Sequence, residues 1–392
     1  MFALQIASKD SFFLANGTLF FIKKHPKHNM SQHLNKLFSS YKLGGIELKN
    51  RIVMAPMTRS RAIGNIPNDL MAAYYGARAS AGLLITEGTA PTPDGLGYAR
   101  IPGIYSEEQI AGWKKVTDAV HANGGRIFVQ MMHTGRITHP LNLPAGGKVL
   151  GASPIAAANT PMWTDQEGMQ SLPVPVEITA AAIPAVIEEF VHGAKSAMAA
   201  GFDGVELHGA NGYLLEQFLN TASNQRQDQY GGSVENRNRF VLEVAAAVAE
   251  AIGKEKTAIR LSPFGANGEM VSDANTIAQY TALAKGLQEI GIVYIHVVDH
   301  SALGAPEVPQ SVKDAIKNSY HGTIIISGGY DAATAEADLE AGKGELVAFG
   351  RPFISNPDLV QRFQSGAALA VPDPTTFYTP GEKGYIDYPA AV

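Results

Sequence analysis

Apolar residues along this chain gather in short, nearly unbroken runs rich in β-branched side chains. Eight such runs recur: "RIVMAP" (51–56), "GLLITEG" (82–88), "RIFVQMMH" (126–133), "DGVELHG" (203–209), "TAIRLSP" (257–263), "VYIHVVD" (293–299), "GTIIISGG" (322–329) and "ELVAFGR" (345–351). Continuous runs read as parallel strands covered on both faces, because a strand open to water on one face alternates instead. Between them the period becomes helical. Ser106-Glu107-Glu108-Gln109 is a capping-box pattern ahead of Ile110, Trp113, Val116 and Val120, and Gly124 can close that helix. Ser233 can cap a helix carrying Phe240, Val241, Val244 and Val248 and ending near Gly253. Asp331 can cap 332–341, and Asn356 before Pro357 reads as a cap with proline in the first helical position.

Eight strand–helix alternations predict an α/β fold, a single-domain (β/α)8 TIM barrel. A doubly wound open sheet is the rival. It calls for a Gly-x-Gly-x-x-Gly turn after the first strand, where this chain has the glycine-free "APMTRSRA". The segment 134–179 is too long for an ordinary barrel loop. It reads as an excursion after the third strand, over the barrel mouth, with a small hairpin.

With 392 residues and 45% apolar composition the chain can bury a large core, and 30–392 is read as one barrel domain. Residues 1–29 differ. Their short apolar patch is broken by Asn16-Gly17-Thr18, and their basic residues follow the patch, the reverse of a signal peptide. They are expected to be an upstream extension or a disordered tail, with Met30 as a natural start; an interaction tail or weak targeting segment is the alternative. No window reaches the roughly 18 apolar residues of a membrane span, so no membrane partner is expected. Net charge is -5 and no block of Lys or Arg could track a phosphate backbone, so no nucleic-acid partner is expected either. The chain has no cysteine, which excludes disulfides, thiolate metal sites and a cysteine nucleophile and is compatible with a cytoplasmic location.

In a barrel the C-terminal strand ends face the active site. Those ends carry Pro56, Met57 and Thr58; Gly88; Gln130 and His133; His208, Asn211 and Tyr213; Arg260; Gly328 and Gly329; Gly350 and Arg351. The set mixes hydrogen-bond donors, a fixed cation and glycines, and includes no metal cluster. Glycines after strands seven and eight stand where this fold binds phosphate, with Arg351 to neutralise charge and a helix N-terminus to add dipole. Plain turns are the alternative reading of the same glycines. His208 alone is as readily a satisfied structural histidine. With Asn211 three residues on, two donors could converge on one oxygen, and Tyr213 beside them could give a proton. Gln217, Asn220 and Asn224 read as residues that satisfy backbone groups of the loop.

The segment "VELHGANGYLLEQFLNTASNQRQDQYGGSVENRNRF" resembles the signature of the Old Yellow Enzyme family of FMN-dependent ene-reductases. "LKNRIVMAPMTRSRA", "ITEGTAP", "VQMMHTGRITHP", "AIRLSP", "ISGGYDAATAEADLEAGKGELVAFGRPFISNPDLVQR" and "YIDYP" extend the likeness, in order, over about 33–390. Within the family the chain is most similar to the N-ethylmaleimide reductase and pentaerythritol-nitrate reductase group. The resemblance implies a barrel holding non-covalent FMN, reduced by NADPH or NADH. It implies that Pro56, Met57, Thr58, Gly88, Gln130 and Arg260 contact the flavin ring, and that Gly328, Gly329, Gly350 and Arg351 hold its phosphate. It further implies that His208 and Asn211 bind the substrate's activating oxygen, that Tyr213 is the proton donor, and that Tyr378 and Met132 line the substrate pocket. Implied substrates are electron-poor alkenes, nitro compounds or quinones, and the implied assembly is a monomer or weak homo-oligomer.

Three positions depart from the family pattern. Met132 stands where many relatives have tryptophan, Gly88 replaces a common alanine, and Asn211 is histidine in some relatives. Two other functions remain open on residues alone. One is a flavin-binding protein without turnover. The other is a metal-dependent barrel hydrolase or aldolase built on Glu206, His208, His296 and Asp299, of which Glu206 and His208 share a strand face.

Overall fold

The computed structural model describes residues 35–391, together with an antiparallel pairing of Leu14–Ala15 with Thr18–Leu19. That pairing apart, the expectation for residues 1–29 lies outside the described residues. The chain divides into two compact units, Met1–His33 and Leu34–Val392, and the second holds the barrel.

Eight parallel strands close on themselves in chain order: β1 (Ile52–Met54), β2 (Leu83–Thr89), β3 (Ile127–Met131), β4 (Gly204–Gly209), β5 (Thr257–Leu261), β6 (Tyr294–Val298), β7 (Thr323–Ser327) and β8 (Leu346–Phe349). The pairing of Val347 with Ile52 and Phe349 with Met54 completes the circle. Each expected apolar run is one of these strands, and nearly every strand residue is buried, as the runs predicted. Among the described residues no open sheet of the doubly wound kind forms.

Helices α1 (Asp69–Gly76), α2 (Glu107–Ala122), α3 (Ile183–Ala199), α4 (Leu214–Leu219) and α5 (Val234–Ile252) follow the first four strands. Then come α6 (Thr276–Ile290), α7 (Gln310–Ser319), α8 (Ala332–Glu340), α9 (Arg351–Ser355) and α10 (Leu359–Ser365). Ser106 caps α2 in a reciprocal box with Gln109, Ser233 accepts from Asn236 N at the start of α5, and Asp331 caps α8. The main core lies between strands and helices, around side chains such as Trp113, Phe190 and Phe240. A second cluster fills the barrel's lower interior with Val53, Leu83, Phe128 and Ile325.

One cap differs from expectation. Asn356 does not start a helix; it closes α9, and α10 begins after Asp358. The Asn356 amide is taken up by Ala370, accepting from its N at 2.8 Å and donating to its O at 3.1 Å, so it cannot turn toward the next helix. A further element has no counterpart in the sequence reading. Tyr41–Leu43 and Ile46–Leu48 form a hairpin whose Leu43 and Leu48 join the lower interior cluster and plug that end of the barrel. The excursion after β3 carries the expected hairpin, Pro161–Thr164 against Gly168–Ser171.

Candidate active site

A cavity of about 350 Å³ opens at the C-terminal strand ends. Pro56, Met57, Thr58, Arg260, Gly328, Gly329, Gly350, Arg351 and Tyr378, all singled out in the sequence, line it. Tyr378 stands at the rim with 61% of its surface exposed. Gly88, Gln130, Met132, His208, Asn211 and Tyr213 are not in the cavity lining, but His208 lies beside Arg260 and Asn211 meets His300, both of which line it. Strand register places His208 beside Arg260, and Glu206 beside Gln130.

A buried polar network lies among these strands. Glu206, wholly buried, accepts from Gln130 Nε2 at 2.8 Å, Tyr294 OH at 3.0 Å and His296 Nδ1 at 2.9 Å. Burial alone would raise its pKa, but His296 and Arg260 hold the carboxyl below its ordinary value. An ionised carboxylate only accepts hydrogen bonds. Gln130 must therefore turn its NH2 toward Glu206, which leaves its carbonyl oxygen for a ligand. Burial disfavours the charge of Arg260, and Glu206 offsets that. The Arg260 Nε is buried with no protein partner.

Above this layer stand the residues of the sequence's central segment. The His208 ring meets Tyr213 edge-on, with centroids 4.7 Å apart. Burial, with Arg260 beside it, keeps His208 neutral by pushing its pKa well below the usual value. Its Nδ1 is buried without a partner. Asn211 Oδ1 accepts from His300 Nε2 at 2.8 Å, which leaves the amide hydrogens of Asn211 for another oxygen. His300 is itself held neutral by burial, its pKa lowered to about 4. The Tyr213 and Tyr98 hydroxyls lie 2.9 Å apart. Burial and Tyr98 push the Tyr213 phenol well above 10, so it stays protonated. Sequence reasoning passed over Tyr98 and His300. They lie 115 and 89 positions from the residues they touch, and no local pattern links them.

Gly88 and Met132 meet across β2 and β3. A Cβ added at Gly88 would lie 2.4 Å from the Met132 sulfur. Glycine at one position thus lets methionine lie flat at the other. In the cavity wall, Gly328 and Gly329 have φ of 146° and 70°, and a Cβ on Gly329 would come 2.5 Å from Ala302 Cβ. The helix dipole expected there is reduced. Asp331 already caps α8, and α9 has five residues. An anion there would meet backbone N–H groups and Arg351 instead.

This donor set fits FMN. It combines an unpartnered buried guanidinium nitrogen, an amide carbonyl held toward the ligand side, and a glycine-lined end with a cation. The alternative metal cluster does not assemble among the described residues. Glu206 and His296 bond to each other, while Asp299 accepts from Lys313 Nζ at 2.8 Å. No helix among the described residues is long and apolar enough to cross a membrane.

The model of the NADH:flavin oxidoreductase / NADH oxidase family matches residues 36–370. Rice (Oryza sativa subsp. japonica) 12-oxophytodienoate reductase 7 is 40% identical over 387 residues, which is 93% of this chain and 97% of that protein. A probable flavin mononucleotide-dependent alkene reductase of Leishmania infantum is 40% identical over 366 residues, 92% of this chain and 98% of that one. Among solved structures, morphinone reductase in complex with tetrahydroNAD is similar at a TM-score of 0.87 and 43% identity, covering 91% of this chain and 98% of that chain. The chain belongs to the NADH:flavin oxidoreductase / NADH oxidase family, as an FMN-dependent oxidoreductase of the Old Yellow Enzyme group.

Proposed function

We propose that this chain reduces the activated C=C bond of α,β-unsaturated carbonyl or nitro compounds with NAD(P)H, Tyr213 supplying the proton. The observation that carries this reading is the grouping of buried His208 with half-buried Asn211 and Tyr213, His208 standing beside Arg260. When bound, FMN supplies a hydride relay from the nicotinamide to an electron-poor carbon. The ring-contact and phosphate-contact residues named from the sequence would hold it. His208 and the Asn211 amide would donate to the substrate's activating oxygen. Negative charge grows on that oxygen as hydride arrives, and each such donor is worth about 3 kcal/mol in the transition state.

Tyr213 holds its proton at the phenol oxygen until charge develops on the substrate α-carbon. A phenol pushed well above 10 does not ionise beforehand. Once it has given the proton, the Tyr98 hydroxyl at 2.9 Å can donate to the phenolate left behind. Tyr378 at the rim and Met132, in the apolar cluster that Tyr213 borders, would shape the pocket. Quinones present the same acceptor chemistry and belong to the same substrate class. The unit 30–392 would act as one catalytic domain, monomeric or weakly self-associated, in the cytoplasm and without nucleic-acid or membrane partners.

Purified protein is expected to be yellow. Its flavin band should bleach anaerobically with NADPH and return on adding 2-cyclohexenone. Colourless protein that fails to take up FMN would sink the reading, whereas colour without reoxidation by any activated alkene would favour flavin binding without turnover.

A further inference from the structure

Asn211 and Tyr213 enter the site from one tight turn, and that turn is held from behind. Asn211 and Gly212 have φ of 59° and 80°, and Tyr213 N donates to Ala210 O at 3.3 Å. Positive φ at both central residues is the type I′ pattern, for which Asn-Gly is a preferred pair. Both central N–H groups lead to one side chain. Gly212 N donates to Glu216 Oε2 at 2.6 Å. Asn211 N donates to Ser262 Oγ at 2.9 Å, and Ser262 Oγ donates to Glu216 Oε1 at 2.7 Å. Tyr280 OH also donates to Oε1, at 3.1 Å.

We propose that Glu216, through Gly212 and Ser262, is the positioning residue that sets where Asn211 and Tyr213 stand, and that it does so as a carboxylate. It touches neither substrate nor cofactor. Every partner around it is a donor, so only the ionised form satisfies all of them. A proton on Oε2 would oppose the Gly212 N–H. A glutamine would either oppose the same N–H or reverse the Ser262 hydroxyl, whose hydrogen then loses its acceptor.

The clamp is poised to titrate, since burial pushes the Glu216 carboxyl up to about 7 against those donors. Tyr280 from α6, Arg237 from α5 and Asp273 from the loop before α6 line the small polar cavity beside it. Arg237 is occupied by Leu219 O, Gly232 O and Gln279, and Asp273 by Asn275 N and Thr276. Neither charge is spent on Glu216.

This inference rests on the assignment of Asn211 and Tyr213 to the substrate. Its test uses the full FMN-loaded chain and 2-cyclohexenone, whose carbonyl does not titrate, bound to the oxidised protein and read by the shift of the flavin band. Wild-type affinity should fall about tenfold as pH drops through about 7, the effect of one lost hydrogen bond. Glu216→Gln should bind at every pH about as weakly as wild type does below pH 7, about tenfold weaker than wild type above it, with FMN affinity unchanged. Ser262→Ala should reproduce that loss for the Asn211 side of the turn. Tyr280→Phe removes a donor that favours the carboxylate while leaving the turn intact, so its affinity midpoint should move to higher pH. Enone affinity in Glu216→Gln equal to wild type above pH 7, with FMN retained, overturns the inference alone. A wild-type protein that binds FMN but no enone overturns the assignment of Asn211 and Tyr213 and this inference with it.

Discussion

Replacing Gly88 by alanine should destabilise the protein, and Met132 should decide by how much. The new Cβ would lie 2.4 Å from the Met132 sulfur, 2.6 Å from its Cε and 3.1 Å from its Cβ. Sulfur and methyl can swing away, but Met132 is only 1% exposed and packs with Ala90, Leu96 and Ile101, so the side chain must move into filled space. Overpacking of this kind costs about 1–3 kcal/mol. Gly→Ala in a strand returns about 0.5–1 kcal/mol through the unfolded chain. The net loss is therefore about 1 kcal/mol. Met132→Ala alone leaves a hole and should cost about 2–5 kcal/mol. In the double variant the methyl added at position 88 occupies part of that hole, so the two changes should couple favourably by at least about 1 kcal/mol. Urea unfolding of the four FMN-loaded proteins reads this directly. Costs that add to within about 0.5 kcal/mol would refute the idea that Gly88 and Met132 form one packing unit.

Glu206→Leu leaves Gln130 and Tyr294 without their acceptor and Arg260 without its counter-charge. It should cost about 3–5 kcal/mol and weaken FMN binding, and a denaturation midpoint near wild type would contradict that. His208→Ala and Asn211→Ala together should weaken charge-transfer binding of phenols, and unchanged phenol affinity would refute the paired-donor arrangement. The folded-state pKa of Glu216, raised to about 7 from 4.5, means it favours folding below pH 4.5 and that this contribution is lost as pH rises through 7. Unfolding free energy measured at about pH 5.5 and 8 should therefore fall less in Glu216→Gln than in wild type; parallel falls would show that Glu216 does not titrate in this window.

All eight strands were legible because they are buried on both faces and read as unbroken apolar runs. Ser106, Ser233 and Asp331 were legible because capping is local. Asn356 misled because its real partner, Ala370, lies 14 residues away. The hairpin that plugs the barrel left a signal in "LGGIEL", two glycines between short apolar–polar stretches, but one too brief to separate from a loop. At the site, strand ends pointed to His208, Gln130 and Arg260, while FMN came only through resemblance. Glu206 and His296 suggested a metal cluster, since periodicity tells which face a residue occupies but not which neighbours meet there. Tyr98, His300 and Glu216 act through contacts made only in the closed barrel.

The central claim, that Tyr213 gives the proton to the substrate, is tested most directly by anaerobic stopped-flow of Tyr213→Phe. Both half-reactions are followed at the flavin band. Reduction by NADPH should persist, while reoxidation by 2-cyclohexenone should slow by about 10²–10⁴, the usual worth of a positioned acid. Equal loss in both half-reactions, or enone reoxidation as fast as wild type, would contradict it.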